Sequence, residues 1–199
     1  MNLLIDGLPD SVEIAGQTIP IDTSFRTGIL FEELMLDNAM DPVEKLTTAL
    51  ELYYPGTSFA PEVRQDAVQA MLWFYRCGAD EAPAGEGHGQ ADDPPYSYEY
   101  DADYIYAAFL GAFGVDLAHS TLHWWQFRAL FKSLPEDTQF IKIIGYRTMS
   151  IPAKMPKDQK QHYQKMKKLY ALPASKDRQQ LESDLTQLLM NGGNPSALM

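Results

Sequence analysis

YSYEYDADYIYAAFL (residues 96–110) and LHWWQFRALF (residues 122–131) decide how this chain folds. The two stretches hold five tyrosines, two tryptophans and three phenylalanines. Aromatic side chains this dense form either a large helical core or an adhesive surface. Residues 98–113 are apolar or aromatic on most sides, the mark of a helix that is buried or lies in an interface. Gly114-Val115-Asp116 breaks that helix, and a second aromatic helix covers about 121–133 before Leu134-Pro135 stops it. Trp124 and Trp125 stand about 100° apart on a helix and cannot both face one core. Trp125 shares a face with Leu122 and Ala129 and is expected in the core; Trp124 aligns with Arg128 and is expected nearer a binding surface. Tyr104, Trp124, Phe127 and Phe131 are therefore candidate protein-binding residues, joined by Leu181, Leu185 and Leu188 from the far C-terminus.

Outward from these helices the pattern stays helical. Phe25, Ile29, Leu30, Leu34 and Leu36 predict a helix over about 25–36. Asp41-Pro42-Val43-Glu44 is a helix start: Asp41 caps, Pro42 takes the first helical position and Glu44 completes a capping box. Leu46, Ala49, Leu50 and Tyr53 mark the buried stripe of that helix. Pro61-Glu62 opens the next, with Val63, Ala67, Ala70, Met71 and Phe74 inward and Gly78 as its stop. Phe140, Ile141, Ile144 and Tyr146 pack a helix over about 137–149. Tyr163, Met166, Leu169 and Tyr170 pack one over about 156–171, whose wet side carries Lys157, Lys160, Lys165, Lys167 and Lys168. Ser175 starts a last helix with Leu181, Leu185, Leu188 and Leu189 at seven- and four-residue spacings, and Asn191-Gly192-Gly193 ends it. At the other terminus Val12, Ile14, Thr18, Ile19 and Ile21 flank Ala15-Gly16-Gln17, a β-hairpin pattern with Pro20 on an edge.

The expected fold is mainly α: a single helical domain of about seven helices with a small N-terminal β-hairpin. The hairpin element occupies residues 1–24, the helical domain 25–172, and the C-terminal helix with a loose tail 173–199. Within the domain, residues 78–95 carry Gly, Pro and five acids with no Lys or Arg, and read as a mobile acidic loop. Lacking apolar surface, that loop is expected to be dispensable for folding.

The chain has 199 residues and a net charge of −11, unevenly spread. Residues 1–141 hold 6 basic and 23 acidic side chains, a net of −17; residues 142–199 hold 10 and 4, a net of +6. An acidic body repels phosphates, so nucleic acid is not the expected partner. No run approaches 18 consecutive apolar residues and the start is no signal peptide, so neither a membrane span nor export is expected. Cys77 is the only cysteine, which excludes an internal disulfide and fits a reducing cytoplasm; it reads as a small packed thiol without an activating partner.

No catalytic constellation stands out, and the reading is of no enzyme, no cofactor and no metal. His119 and His123 are four apart, but a zincin pair needs Glu after the first His, and Ser120 is there. Capping or packing roles suit both better. Asp101 and Asp103 point away from each other on a helix and suit its positive N-terminal end. The tyrosine run could stack bases only within a basic groove, and Glu99, Asp101 and Asp103 oppose one.

YSYEYDADYIYAAFLGAFGVDL, LHWWQFRALFKSLP and the basic stretch ending KMKKLYALP resemble a family of tailed-phage and prophage proteins often labelled phage gene product fifteen. The resemblance runs from about Phe25 to Leu172. Genes of that family usually lie between those of the major tail protein and the tape measure protein. The resemblance therefore implies a tail assembly chaperone, present in the host cytoplasm during assembly and absent from the mature particle. Its expected partners are the tape measure protein, other tail assembly proteins and further copies of itself. A structural tail completion or connector component retained in the virion is the alternative. On either reading the basic C-terminal segment is expected to contact other copies or the client.

Overall fold

The computed structural model describes residues 3–79 and 95–173. The expected C-terminal helix with Leu181, Leu185 and Leu188, and nearly all of the acidic loop, lie outside the described residues. The chain is mainly helical with one N-terminal hairpin, in line with the sequence. A single turn, α1 (Leu3–Asp6), precedes strands β1 (Ser11–Ile14) and β2 (Gln17–Pro20). The strands pair antiparallel with Val12 opposite Ile19. Ala15 and Gly16 both take positive φ, 49° and 76°, the two-residue turn whose twist matches that of paired strands. Val12 and Ile14 point inward, and β1 packs against α4 (Arg64–Tyr75).

Helix α2 (Phe25–Leu36) has the boundaries its periodicity predicts, with the Ser24 hydroxyl accepting the Arg26 N–H. It buries Phe25, Thr27, Gly28, Phe31 and Leu34, while Leu30 and Leu36 stay exposed. Helix α3 (Pro42–Tyr53) starts where expected: the Asp41 carboxylate accepts the Val43 and Glu44 N–H groups and Pro42 occupies the first turn. Ala49, Leu50 and Tyr53 are buried, but Leu46 is exposed. α4 begins later than Pro61 suggested and buries Ala67, Met71 and Phe74. Helix α2 packs on α3 and on α6 (Trp124–Lys132), and α3 packs on α4; α5 (Ala102–Phe113) packs on α7 (Gln139–Thr148), which packs on α8 (Lys157–Leu169). α7 turns Phe140 and Ile143 fully inward, with Ile141, Ile144 and Tyr146 only half-buried, so the stripe lies on a neighbouring face from the expected one. α8 has no fully buried residue, and Leu169, assigned to packing, is exposed.

The starts of α2 and α6 are zipped together. Trp124 N–H donates to the Thr23 carbonyl at 2.7 Å, and Phe25 N–H donates to the Leu122 carbonyl at 3.1 Å. This register presses the Trp124 ring onto α2 at Gly28, where an added Cβ would overlap ring atoms Cε3 and Cδ2. Gly28→Ala is therefore expected to cost about 1–3 kcal/mol despite alanine's better helix propensity. Calorimetry checks this, and an unchanged melting temperature would mean that α6 moves away from α2 at no cost.

Candidate protein-binding surface

Both tryptophans are buried, with Trp124 fully so and Trp125 at 4% exposure. This corrects the placing of Trp124 near a surface. The face argument assumed side-on packing of a long helix. Both residues instead stand in the first turn of α6, whose end rather than side enters the core. Each indole also has a specific partner: Trp124 Nε1 donates to the Tyr75 carbonyl and Trp125 Nε1 to the Phe74 carbonyl, both at 2.8 Å. Two adjacent indoles thus bond the last carbonyls of α4, that of Phe74 also accepting the Cys77 N–H at 2.9 Å. Phe127 is fully buried as well, stacked with Phe109 at 5.0 Å and Phe25 at 5.1 Å. Phe131 is half-buried against Tyr96 and Phe140. Trp124 and Phe127 are taken up by the core, while Phe131 keeps part of its ring exposed.

The two histidines separate. His119 Nδ1 pairs with the exposed carboxylate of Asp116 at 2.8 Å. His123 is the N-cap of α6: its Nδ1 accepts the Trp125 N–H at 3.0 Å, while Nε2 donates to the Pro9 carbonyl at 2.9 Å. Gln126 Oε1 accepts the His123 N–H and closes the cap. Burial lowers the imidazole pKa from 6.5, partly offset by the Pro9 bond, so the ring is held neutral. The unfolded chain then takes up the proton first. Stability from this group is complete above about pH 6.5 and is lost as pH falls through the lower folded value. Melting temperature should drop between pH 7.5 and 5 more steeply for the native chain than for His123→Asn, whose amide can still cap. Parallel pH profiles would place the acid sensitivity elsewhere. Burial likewise raises the Cys77 thiol pKa, which suits a packed, unreactive cysteine.

Tyr104 alone among the described binding candidates lies at the surface, 37% exposed. Its helix, α5, buries Ile105, Ala108 and Phe109 and turns Tyr104, Ala107, Leu110 and Gly111 outward. Gly114, at φ 66°, ends it with two return bonds, Gly114 N–H to Leu110 O and Val115 N–H to Phe109 O. The start is different from the expected one. Residues 98–101 form a turn, and Asp101 makes no capping bond to α5. Its carboxylate is 1% exposed and accepts two bonds from the Arg147 guanidinium, at 2.6 and 2.8 Å, plus the Ser97 N–H at 3.0 Å. Arg147 also donates to the carbonyls of Tyr170, at 2.6 Å, and Pro95, at 3.2 Å. One guanidinium therefore ties α7 to the turn before α5 and to the end of α8.

Between α5 and the turn leading into α7 lies an open groove of about 500 Å³. Ala107, Ala108, Gly111 and Ala112 make its floor, and Tyr104, Pro135 and Gln139 its walls. The floor ends at Cβ, so the space is that of missing side chains; a Cβ added at Gly111 meets nothing within 4 Å. The sequence carried a signal for this floor in the i, i+4 pairs Ala107/Gly111 and Ala108/Ala112 inside an aromatic helix. Among the described residues, no three His, Cys, Asp or Glu side chains are grouped to hold a metal ion, and no helix is long and apolar enough to cross a membrane.

A sequence profile described as "Bacteriophage Gp15 protein" matches residues 4–172. The chain belongs to the bacteriophage Gp15 family. The matched span takes in the hairpin strands, both aromatic helices and the basic helix α8, so membership rests on the whole described fold rather than on one motif. Family membership points to a structural or assembly role in a phage. No match emerged among curated proteins or among solved structures.

Proposed function

We propose that this Gp15-family protein is a tail assembly chaperone that holds the tape measure protein while the tail is built, and that it performs no chemistry. Family membership supports a place in phage assembly. The observation that carries the finer reading is the open α5 groove. An amphipathic helix of the client, with apolar residues at three- and four-residue spacing, is the ligand chemistry that such a groove takes. Its floor of small residues lets a partner helix approach closely, and its rim residues Asp137, Thr138 and Gln139 supply polar contacts. Client release onto the growing tube requires only modest affinity, which a shallow, partly polar groove provides.

Co-expression with the tape measure protein tests the reading. The tagged chain should retain that protein in the soluble fraction and carry it through purification. Gly111→Leu, which fills the groove at a position with free space, should abolish the co-purification without lowering the melting temperature. Failure of the native chain to retain the client would overturn the proposal. Mass spectrometry of purified particles separates it from a retained connector component, since a chaperone should be missing from them.

A further inference from the structure

The α2–α3 hairpin reaches past the core. Val43, Leu46, Leu50 and Tyr53 follow one another on α3 at three- and four-residue spacing and so share a face. Leu50 and Tyr53 are buried, but Leu46 is exposed and Val43 is 71% exposed. Across the turn, at the end of α2, Met35 is exposed and Leu36 is 64% exposed. The Lys45 ammonium donates to the Met35 carbonyl at 3.2 Å and holds these two helix ends together. The core-facing stripe thus continues onto a tip that no element covers among the described residues. The tip is also acidic. Residues 27–44 carry five acids and no Lys, Arg or His. Glu32 pairs with Arg128, whereas Glu33, Asp37, Asp41 and Glu44 make no ion pair among the described residues. Burial holds the Glu33 carboxyl above its usual pKa, and the neighbouring Glu99 carboxylate adds to the effect.

We infer that this tip docks on a second copy of the chain, which offers it the basic face of α8. On α8, Lys157, Gln161, Lys165, Lys168 and Leu169 lie within about 120° of arc, and all five are exposed. The helix holds five lysines against one acid, and none of the five makes an ion pair among the described residues. Leu169, exposed at the end of this face, supplies an apolar contact among the charges. Within one chain α8 packs on α7 while α2 packs on α3 and α6, so both faces stay open. The dimensions agree. Lys157 to Leu169 is about 18 Å of helix, and two packed helices such as α2 and α3 are about 20 Å across. The charges also fix the kind of contact. Two acidic tips repel each other, so a two-fold pairing of tips is disfavoured and the contact is head-to-tail. Each copy gives its tip to one neighbour and its basic face to another, and the assembly grows as an open chain or closes into a ring. This self-association does not involve the α5 groove and stands apart from the client reading.

Light scattering of the purified chain, without any client, tests it. The mass should rise with concentration up to about 0.2 mM at about 50 mM salt, and the association should weaken about tenfold or more at about 0.5 M salt. Leu36→Ser/Val43→Ser removes the apolar contact of the tip, and Lys165→Glu/Lys168→Glu reverses the basic face. All four positions are exposed, so both variants should keep the native melting temperature and stay monomeric. Mixed one to one, they should form a heterodimer and nothing larger, because one working tip then meets one working face. Should one variant melt early, the other variant and the salt dependence of the native chain still decide. A native chain that stays monomeric at low salt would overturn the proposal and leave the tip to a basic partner other than this chain. Association of either variant as tight as the native chain's would overturn it as well, and so would folded variants that remain apart when mixed. No tape measure protein enters these measurements, so this proposal and the chaperone reading fail separately.

Discussion

Trp124→Ala is expected to cost about 3–5 kcal/mol, as much as Trp125→Ala or more. Trp124 is fully buried, stacks on Tyr75 at 5.7 Å and on Phe127 at 5.8 Å, and lies against Gly28 of α2. Its truncation removes those contacts, opens a cavity that the stiff ends of α2 and α6 cannot close, and leaves the Tyr75 carbonyl without its indole donor. Trp124→Phe keeps most of the ring volume but removes the indole donor, leaving that carbonyl only the weak Cys77 Sγ contact at 3.9 Å, so it should fall between the native chain and Trp124→Ala. Denaturant titration of the three proteins gives the order. A loss below about 1 kcal/mol for Trp124→Ala would show that the α4–α6 contact is not the centre of the core.

Arg147→Ala should destabilise by a similar amount, about 3–5 kcal/mol, through a different cause. The mutation leaves the Asp101 carboxylate in a site that is 1% exposed, with only the Ser97 N–H as a remaining partner. It also frees the carbonyls of Tyr170 and Pro95. Arg147→Lys keeps the charge but cannot form the two-bond fork, and should recover only part of the loss. Asp101→Ala/Arg147→Ala should be less damaging than Arg147→Ala, because no charge is then stranded. Purely additive losses in this double-mutant cycle would show that the two groups do not act as a pair.

Local signals in the sequence were dependable where one residue type has one physical use. Asp41-Pro42 began α3, Gly78 and Gly114 ended α4 and α5 at positive φ, and Ala15-Gly16 made the hairpin turn. The periodicity of 25–36 returned α2 to the residue. The errors arose where distant chain decided the outcome. Asp101 looked like a helix-start acid, but its partner lies 46 residues away in α7 and pulls it out of the capping position. Trp124 looked like a flank residue, but the carbonyls of α4 draw both indoles inward. Leu46 fitted a buried stripe, yet no element covers that end of α3 among the described residues. At the candidate surface, Tyr104 was legible as an aromatic on an apolar helix. The groove beside it was not, because its floor is defined by the side chains that alanine and glycine lack.

All three tryptophans of the chain stand in one cluster: Trp73 meets Trp125 at 5.7 Å, and Trp124 follows directly in sequence. None lies on α5, α7 or α8. Intrinsic tryptophan emission is therefore a reporter for one half of the molecule, tracking separation of α6 from α4. The other half carries only tyrosines, including the stacked Tyr146 and Tyr170 at 5.9 Å. Should α8 detach before the rest melts, the indole signal would stay flat while the tyrosine signal and amide exchange of α7–α8 changed. Two optical probes in one sample thus divide the chain into a silent clamp and a visible core, and their coincidence or divergence on heating tells whether it melts in one step or two.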